Sequence, residues 1–427
     1  MAAKGIPLIC VRSDDVAEAV CQVAIRIQAS QVYYNIEYEV NESRRDLKAS
    51  QLLEKENIKV FSFHDQCIIE PGKVRTKENK VYNVFTPFKK CWIATVLKDK
   101  SVLKLFETPN QALDSVPKDA LDYCSKNSTI PTSEEIGFPK SKKLKVDLRK
   151  EWPIGEAQAI QRLEKFIQDR SKTYDTDRDF PSTDGTSRLS AYLATGVISA
   201  KMCLIKAKEA NQGKLDSGNA GLVTWISEIV WREFYRHILF AYPRVCMNKA
   251  FKKDTDSIPW NYDKDMFEKW CNGQTGYPIV DAGMRQLNET GWMHNRLRMI
   301  VAMFLTKHLL IDWRWGEKYF MNHLIDGDFA SNNGGWQWAS STGTDSQPYF
   351  RIFNPMLQSE RFDAQGKFIK KYVPELQDLS GKKLMDPYGE LSPAQFAKLG
   401  YPKPMVDHKA ARDKCLETFK TALSKLK

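Results

Sequence analysis

The hydrophobic pattern changes once along the chain, and this change limits the fold more than any other feature. Residues 5–12, 31–38 and 58–65 are short β-branched and aromatic runs, and the two segments between them have helical spacing. Alternating strands and helices predict a parallel, Rossmann-like sheet. From Trp152 to the end of the chain helical patterns dominate. We therefore expect an α/β N-terminal domain followed by a large all-α domain.

The predicted boundaries divide the chain into three parts. Residues 1–100 form a partial α/β domain, residues 101–150 a polar, proline-containing connector, and residues 151–427 the helical domain. Three strands are few for a sheet whose strands are covered by helices on both faces. We therefore expect an incomplete sheet, with earlier strands missing from the chain.

Composition favours an intracellular protein with a polyanionic partner. The net charge is +11, which points to nucleic acid, although a solubilising surface is the simpler alternative. No apolar run reaches transmembrane length, and the N-terminus lacks the features of a signal peptide. The nine cysteines include no CxxC pair and the six histidines do not cluster with them, so we expect reduced thiols and no metal site.

The segment 183–196, TDGTSRLSAYLATG, joins small hydroxyl residues to the head of a helical pattern. Thr186, Ser187 and Ser190 could bind an anion together with backbone amides at a helix start. An ordinary N-cap is the alternative. The segment matches neither a Walker loop nor a dinucleotide fingerprint.

Two further helical segments place charges on apolar faces. Glu228 and Arg232 lie in a stripe with Trp225, Trp231 and Tyr235. The two charged residues could pair with each other, four residues apart, or could face a polar ligand.

In the segment 292–304, Asn295, Arg298 and Met299 share one helical face, from which Arg296 is turned aside. Two arginines among apolar residues suggest two anionic contacts, one with a ligand inside and one with a phosphate outside. Surface salt bridges are the alternative.

The segment 326–338, DGDFASNNGGWQW, combines carboxylates, amides, a glycine pair and two tryptophans. Asp326 and Asp328 could bind hydroxyl groups, N–H groups, a basic partner or magnesium, but no phosphate-transfer motif supports magnesium. The glycine pair allows the backbone to approach a flat group. We expect Trp336 and Trp338 to point in different directions, one inward and one outward.

Long ordered motifs carry a family resemblance. The segments GTSRLSAYLATG, WREFYRH, TGYPIVDAGMRQLNETGWMHNRLRMIVA and LIDWRWGEKYF through RIFNP resemble the photolyase/cryptochrome family, most closely its class I cyclobutane pyrimidine dimer (CPD) photolyases. The resemblance runs from about residue 5 to the C-terminus. It implies that the all-α domain binds FAD, and that light-driven electron transfer from reduced FAD (FADH⁻) repairs a dimer flipped out of DNA.

The resemblance also assigns site residues. Those matching FAD contacts are Tyr174, Thr186, Ser187, Leu189, Ser190, Trp225, Glu228, Arg232, Asn295, Arg298, Asp326, Asp328 and Asn332. Those matching contacts to the dimer and DNA are Arg178, Glu228, Trp231, Asn295, Arg296, Met299 and Trp338. Trp336, Trp313 and Trp260 match the tryptophan chain that carries electrons to the flavin, and Glu228 and Asn332 are implied to assist the reaction. Three buried core tryptophans are the alternative for that chain.

Related activities remain as alternatives. A (6-4) photolyase would carry histidine at Asn295 and Met299, and a plant cryptochrome typically carries aspartate at Asn332. The chain ends after its last helical pattern without a signalling tail. We therefore expect a photolyase, with a blue-light receptor that signals through a protein partner as the main alternative and an inactive paralogue without FAD as a third.

The antenna and the cellular setting are less constrained. Asn41 and Glu42 match contacts to a methenyltetrahydrofolate-type antenna, but Met247 replaces an expected lysine. We therefore expect no tight antenna binding. We expect a monomer that binds damaged DNA, with no membrane partner, in the nucleus (with the mitochondrion as a further site) of a eukaryote or the cytoplasm of a bacterium.

Overall fold

The structure is a computed structural model that describes residues 6–106, 117–138 and 144–424. Two parts of the predicted connector, residues 107–116 and 139–143, lie outside the described residues. The end of the last predicted helix also lies outside them. All nine cysteines are described and carry free thiols.

The described residues form two strands and a long series of helices. In chain order these are α1 (Val16–Arg26), β1 (Gln31–Asn35), α2 (Val40–Lys55), β2 (Lys59–Phe63), α3 (Phe85–Lys98), α4 (Lys118–Lys126), α5 (Leu148–Glu151), α6 (Glu156–Asp169), α7 (Tyr174–Asp177), α8 (Ser190–Ala194), α9 (Ala200–Ala210), α10 (Ala220–Ala241), α11 (Lys264–Cys271), α12 (Pro278–Thr290), α13 (Asn295–Met303), α14 (Trp313–His323), α15 (Phe329–Ser340), α16 (Pro355–Phe362), α17 (Lys367–Tyr372), α18 (Lys382–Met385), α19 (Pro387–Glu390), α20 (Pro393–Ala397) and α21 (His408–Ser424). Short 3-10 helices span Lys100–Leu103, Ser171–Thr173, Pro243–Met247, Lys253–Ser257 and Pro374–Leu376, and a π-helical turn spans Phe304–His308.

The chain divides into two compact units. The first comprises residues 1–70 and 101–143, and the second comprises residues 71–100 and 144–427. The second unit therefore includes α3, which the sequence-based division assigned to the α/β domain. The physical reason is a polar contact with α10, in which the Trp92 indole N–H donates to the buried Glu233 carboxylate at 2.6 Å.

The first unit contains the α/β arrangement. β1 and β2 pair in parallel, from Gln31 opposite Lys59 to Asn35 opposite Phe63. Helices α1 and α2 pack on each other, around a small core of Cys21, Ala24, Leu53 and Ile58. The expectation of a parallel α/β unit with few strands is confirmed.

The strand predicted at residues 5–12 is wrong for its described residues, 6–12, which have irregular backbone. The apolar side chains of this run are largely exposed, for example Leu8 at 48%. A β-branched run becomes a strand only where a neighbouring strand completes its hydrogen bonds. In the described part of the chain β1 and β2 form a sheet of two, and the run pairs with neither.

The second unit is helical and holds the large core. Its core is formed mainly by α11–α15, α17, α18, α20 and α21 and includes the fully buried rings of Trp270, Trp313 and Phe304. The central helix α10 packs on α3, α7, α9 and α15. Among the residues that the structure describes, no helix is long and apolar enough to span a bilayer.

Local signals set the ends of the helices that build the site. The Asn219 side chain accepts from the Leu222 amide at 3.0 Å and so begins α10, and the Asp328 carboxylate caps α15. Pro278 occupies the first turn of α12, as the sequence predicts, and Gly291 ends that helix at a φ of 67°. These caps fix where each helix presents its polar face.

Candidate functional site

The second unit contains a cavity of about 490 Å³. Its walls come from α7, α8, α10, α13, α14 and α15 and from the loop before α8. A cavity of this size is typical of a site for an organic ligand. The polar residues on its walls, rather than its volume, indicate the class of ligand.

All of the residues predicted to bind a cofactor line this cavity. They are Tyr174, Thr186, Ser187, Leu189, Ser190, Trp225, Glu228, Arg232, Asn295, Arg298, Asp326, Asp328 and Asn332. Of the seven residues predicted to contact the dimer and DNA, all but Arg296 also line it. Residues as far apart in sequence as Tyr174 and Trp338 therefore meet at one place.

The hydroxyl residues lie in the loop that leads into α8. Thr186 and Ser187 precede the helix and Ser190 is its first residue, while the N-cap position, Leu189, makes no side-chain cap hydrogen bond. The predicted helix head is therefore a loop followed by a short helix, and the ordinary N-cap is not formed. Arg188 has a φ of 50°, and its guanidinium lies 5.1 Å from the ring of Trp292. The loop thus contributes hydroxyl groups and a positive charge to the cavity wall.

The stripe on α10 faces the cavity over its whole length. Trp225, Glu228, Trp231, Arg232 and Tyr235 all line it. The suggested pairing of Glu228 with Arg232 is not what forms. Glu228 instead accepts a hydrogen bond within an ion pair from Arg178, and the Arg232 guanidinium donates to the carbonyl of Leu193 at 3.4 Å.

Burial of Glu228 raises the pKa of its carboxyl, although the positive charge of Arg178 opposes the shift. About a third of the Glu228 side chain stays accessible from the cavity. A carboxyl that is paired with an arginine but still reachable from the cavity can form hydrogen bonds there. It is therefore suited to contact a polar group of a bound ligand.

Two arginine–aspartate pairs involve the aspartates that line the cavity. One guanidinium nitrogen of Arg298 donates to both carboxylate oxygens of Asp326, at 2.7 and 3.0 Å. Arg236 donates to Asp328 at 2.8 Å, in a pair that is largely buried. Burial works to raise the pKa of Asp328, but Arg236 and Arg232 outweigh it and the pKa is lowered. Both aspartates are thus held by arginines.

The two arginines of α13 have different partners, as the sequence suggests. Arg298 faces the cavity, whereas Arg296 donates to Asp179 at 2.7 Å and lies 4.2 Å from the ring of Phe362. Arg296 is thus outside the cavity wall. Its predicted contact with DNA stays a prediction.

Asn332 connects the cavity to a buried acid. Its amide donates to the backbone carbonyl of Glu317 at 2.9 Å. The Glu317 side chain is buried, and burial raises the pKa of its carboxyl to about 7, with Asn332 opposing the shift. The sequence analysis did not single out Glu317, because nothing in its local pattern shows that it lies beside Asn332.

The glycine pair allows two close approaches. At Gly334 a β-carbon would meet the ring of Tyr235 at 2.2 Å, whereas Gly335 lines the cavity. The backbone of α15 therefore lies against a flat ring, as expected, although that ring belongs to the protein. A larger residue at Gly334 would push Tyr235 or α15 out of place.

Trp336 and Trp338 both reach the cavity, but only Trp336 is fully buried, at 2% exposure. Trp336 also approaches the backbone of α14, because a β-carbon at Gly316 would lie 2.1 Å from its ring. Gly316 follows Trp313 by one helical turn. Trp313 and Trp260 do not line the cavity and are buried in the core, at 1% and 8% exposure.

The Trp231 ring is supported from one side by another aromatic ring. Phe85 stacks on it with a centroid separation of 3.6 Å and an angle of 7°. The rings of Phe234 and Tyr235 pack at 5.6 Å or more. Trp231 is therefore a rigid, flat part of the cavity wall.

Several lining residues were not predicted. Trp292 and Arg188 lie within quoted motifs, and their positions beside functional residues were a usable signal. Phe320 and Leu324 of α14 carry no such signal, since an apolar residue facing a cavity looks like a core residue in the sequence.

The residues predicted for an antenna are not among those that line this cavity. Asn41 and Glu42 are in the first turn of α2, in the first unit. Met247 is in the second unit and is 52% exposed. The antenna stays a prediction.

The fold and the cavity define a class of protein, namely one with a small α/β unit and a helical unit that encloses a polar organic cofactor. Two family models match this chain. The model "FAD binding domain of DNA photolyase" matches residues 225–421, and the model "DNA photolyase" matches residues 1–110.

Proteins with similar sequences belong to the same family as these models. The chain is 43% identical to a deoxyribodipyrimidine photo-lyase of Vibrio cholerae, over 99% of this chain and 86% of the relative. It is 44% identical to the Escherichia coli protein of that name, over 99% and 85%. For the Neurospora crassa protein of that name the identity is 44%, over 93% of this chain and 66% of the relative. The chain belongs to the DNA photolyase family.

Solved structures share the fold. A class III photolyase from Agrobacterium tumefaciens matches with a TM-score of 0.77 and 36% identity, over 96% of this chain and 83% of that one. A cryptochrome of Synechocystis matches with a TM-score of 0.81 and 30% identity, over 94% and 82%. The expected fold and the FAD-binding domain are therefore confirmed.

Proposed function

We propose that this protein is a deoxyribodipyrimidine photo-lyase, which uses light and FAD to repair cyclobutane pyrimidine dimers in DNA. The observation that carries the proposal is the single cavity that combines every residue predicted for FAD with three apolar walls, Trp231, Met299 and Trp338. Relatives of that name, alike over most of this chain, support it.

The chemistry of the cavity suits FAD. Thr186, Ser187 and Ser190 offer hydroxyl groups for phosphate oxygens. Asp326 and Asp328 offer carboxylates for N–H and hydroxyl groups, and Arg298 can balance the charge of a reduced, anionic flavin. FAD contains both kinds of group, so the residues present fit it.

The substrate side of the cavity suits a flipped pyrimidine pair. Unstacking a lesion costs roughly a few kcal/mol, and least where the bases are already damaged. Trp231 and Trp338 can stack on the extruded bases, and the Arg178–Glu228 pair can form hydrogen bonds with them. The net charge of +11 attracts the DNA backbone.

When bound in its reduced form, the flavin supplies the photoexcited electron that opens the cyclobutane ring. The residues of the chain bind, orient and exclude water, and none is required as the main base or nucleophile. Glu228 is proposed to form a hydrogen bond with the dimer, because its carboxyl lines the cavity. Asn332 is proposed to contact the flavin ring, because it lines the cavity beside Glu317.

Trp336, Trp313 and Trp260 are proposed to supply electrons that restore the reduced cofactor. Supporting this role, Trp336 lines the cavity and all three side chains are buried. We further propose that the protein acts inside the cell, since the relatives include bacterial proteins and a mitochondrial photo-lyase of Saccharomyces cerevisiae. The nuclear, mitochondrial or bacterial setting and the monomeric state stay predictions.

The direct test is repair. The FAD-loaded, chemically reduced protein is given a thymine-dimer oligonucleotide under blue light, and restored thymine is measured against a sample kept in the dark. We expect light-dependent restoration. No reversal with FAD bound and reduced would overturn the proposal and favour a light receptor, whose binding to a protein partner would change with light.

A further inference from the structure

A line of aromatic rings leads from the cavity wall into the core in a direction that the predicted tryptophan chain does not use. Trp336 lines the cavity, and the Trp270 ring meets it edge-on with a centroid separation of 6.0 Å. Trp270 is fully buried, and its indole N–H donates to the carbonyl of Val301 at 3.1 Å. Its ring is therefore fixed beside Trp336.

The line continues to the surface. Phe267 stacks on Trp270 at 5.7 Å and meets Trp315 at 5.1 Å, so one ring separates the two indoles. Trp315 is half-buried, and it lies 5.7 Å from Tyr262, whose side chain is 58% exposed. Every step between neighbouring rings is thus within 6.0 Å.

The outer end of the line has a proton acceptor. The Tyr262 phenol donates to a carboxylate oxygen of Asp312 at 3.2 Å. Asp312 is buried at 4% exposure and is held by Arg314, whose guanidinium donates to it at 3.0 Å. A phenol loses its proton when it is oxidised, so a tyrosine hydrogen-bonded to a carboxylate can give up an electron and a proton together.

We propose that Trp270, Trp315 and Tyr262 form a second electron path into the cavity, with Tyr262 as its exposed donor. This inference rests on the proposed function, because it requires a flavin at the cavity. The path shares Trp336 with the predicted chain but uses neither Trp313 nor Trp260.

The reaction along this path balances for one electron. The oxidant is a photoexcited, oxidised flavin, to which Trp336 supplies one electron. Trp270 refills Trp336, Trp315 refills Trp270, and Tyr262 refills Trp315. The phenolic proton of Tyr262 passes to Asp312 and leaves a neutral tyrosyl radical, which a thiol in solution reduces by donating a hydrogen atom. Phe267 is not oxidised and only fills the gap between the two indoles.

The simpler interpretation of these rings is core packing, but two features go beyond it. Packing does not require the line to end at an exposed tyrosine, and it does not require that phenol to meet a buried carboxylate. Burial, followed by the charge of Asp312, raises the pKa of Tyr262, so the phenol keeps its proton until it is oxidised.

The test uses the purified full-length protein with oxidised FAD. It is illuminated without added thiol, frozen, and examined by electron paramagnetic resonance. We expect a tyrosyl radical in the wild type and its loss in Tyr262→Phe. Tyr388→Phe is the matched control, because Tyr388 is similarly exposed, at 49%, and packs on Phe396 away from the cavity. The Tyr388→Phe variant should keep the tyrosyl radical signal.

Two further variants identify the route. Trp270→Phe should lose the tyrosyl signal, whereas Trp313→Phe should keep it. Loss in Trp313→Phe, or retention in Trp270→Phe, would overturn the second path. Because Trp270 is fully buried, Trp315→Phe provides a milder interruption of the same path and should also lose the signal, with flavin content measured in each variant.

Asp312→Asn tests the proton acceptor. The amide keeps the size of the side chain but accepts a proton poorly, so the radical yield should fall while bound flavin is retained. An unchanged yield would remove Asp312 from the path. Repair by the chemically reduced wild type tests the proposed function separately, since it needs no electron from Tyr262.

Discussion

The Asn332 amide donates to the backbone carbonyl of Glu317 at 2.9 Å and so joins a cavity residue to a buried acid. Glu317 is 7% exposed, and one of its carboxylate oxygens has no hydrogen-bond partner among the described residues. Burial in this setting favours the neutral form of the acid and raises its pKa to about 7, because a buried charge without a partner is costly. The environment next to the proposed flavin site therefore depends on pH.

This relationship predicts a pH-dependent stability. The pKa of Glu317 is raised from 4.5 to about 7 by burial, so the native protein keeps the proton over a range in which the unfolded chain releases it. Stability should therefore fall as the pH rises from about 4.5 to about 7, by about 1.4 kcal/mol per pH unit at most, and then level off. Glu317→Gln removes this loss. Its melting temperature, relative to that of the wild type, should rise between pH 5 and pH 7.

Glu375→Gln is a suitable control for this measurement. Although burial works to raise it, the pKa of Glu375 is lowered by its hydrogen bonds with Arg285, so the carboxylate is charged throughout the same range. The melting temperature of Glu375→Gln should lie below that of the wild type by the same amount throughout this pH range. If the melting temperature of Glu317→Gln also differs from that of the wild type by a constant amount, Glu317 does not titrate between pH 5 and pH 7.

The Arg298–Asp326 pair predicts a loss of cofactor. Asp326→Asn removes the charge that holds Arg298 on the cavity wall, and hydrogen bonds to charged groups are worth roughly 1.5–3 kcal/mol. We expect FAD to bind about 10- to 150-fold more weakly. The measurement is flavin absorbance after dialysis.

Asp256→Asn breaks a comparable pair, with Arg244 at 2.8 Å, outside the cavity. It should leave the flavin content unchanged. Equal flavin loss in the two variants would mean that general destabilisation, and not the cavity wall, is responsible.

Local patterns predicted the helices but not every strand. The helical spacing of α10 and α12, the Asn219 cap of α10 and the first-turn Pro278 of α12 are local features that the sequence shows. The run at residues 6–12 has the composition of a strand, but a strand also needs a partner, which no local pattern supplies.

The same limit applies to the site. The sequence shows that Glu228 needs a partner, but Arg232 was the only basic residue one turn away along the helix, and the actual partner, Arg178, is 50 residues away. Glu317 was missed for the same reason. The cavity residues predicted to bind FAD were identified through motifs, which preserve distant contacts that spacing alone does not reveal.

Trp260→Phe should slow light-driven reduction of the bound flavin without stopping it. Phenylalanine cannot pass an electron on, but Trp336 keeps its contact with Trp270. The rate is measured from flavin absorbance under blue light with a thiol present. Repair by the chemically reduced variant should match the wild type, and an equal loss of both activities would count against an electron-transfer role.

Trp231→Ala and Trp338→Ala should each weaken binding to dimer-containing DNA while FAD stays bound. Stacking between a base and an aromatic side chain is worth roughly 1–3 kcal/mol, so the dissociation constant should rise about 5- to 150-fold. Fluorescence anisotropy with damaged and undamaged oligonucleotides measures the difference. Tyr388→Ala, which removes an exposed ring outside the cavity, is the control and should bind as the wild type does. Binding that weakens equally for damaged and undamaged DNA would place the two tryptophans on the general DNA-binding surface and not against the lesion.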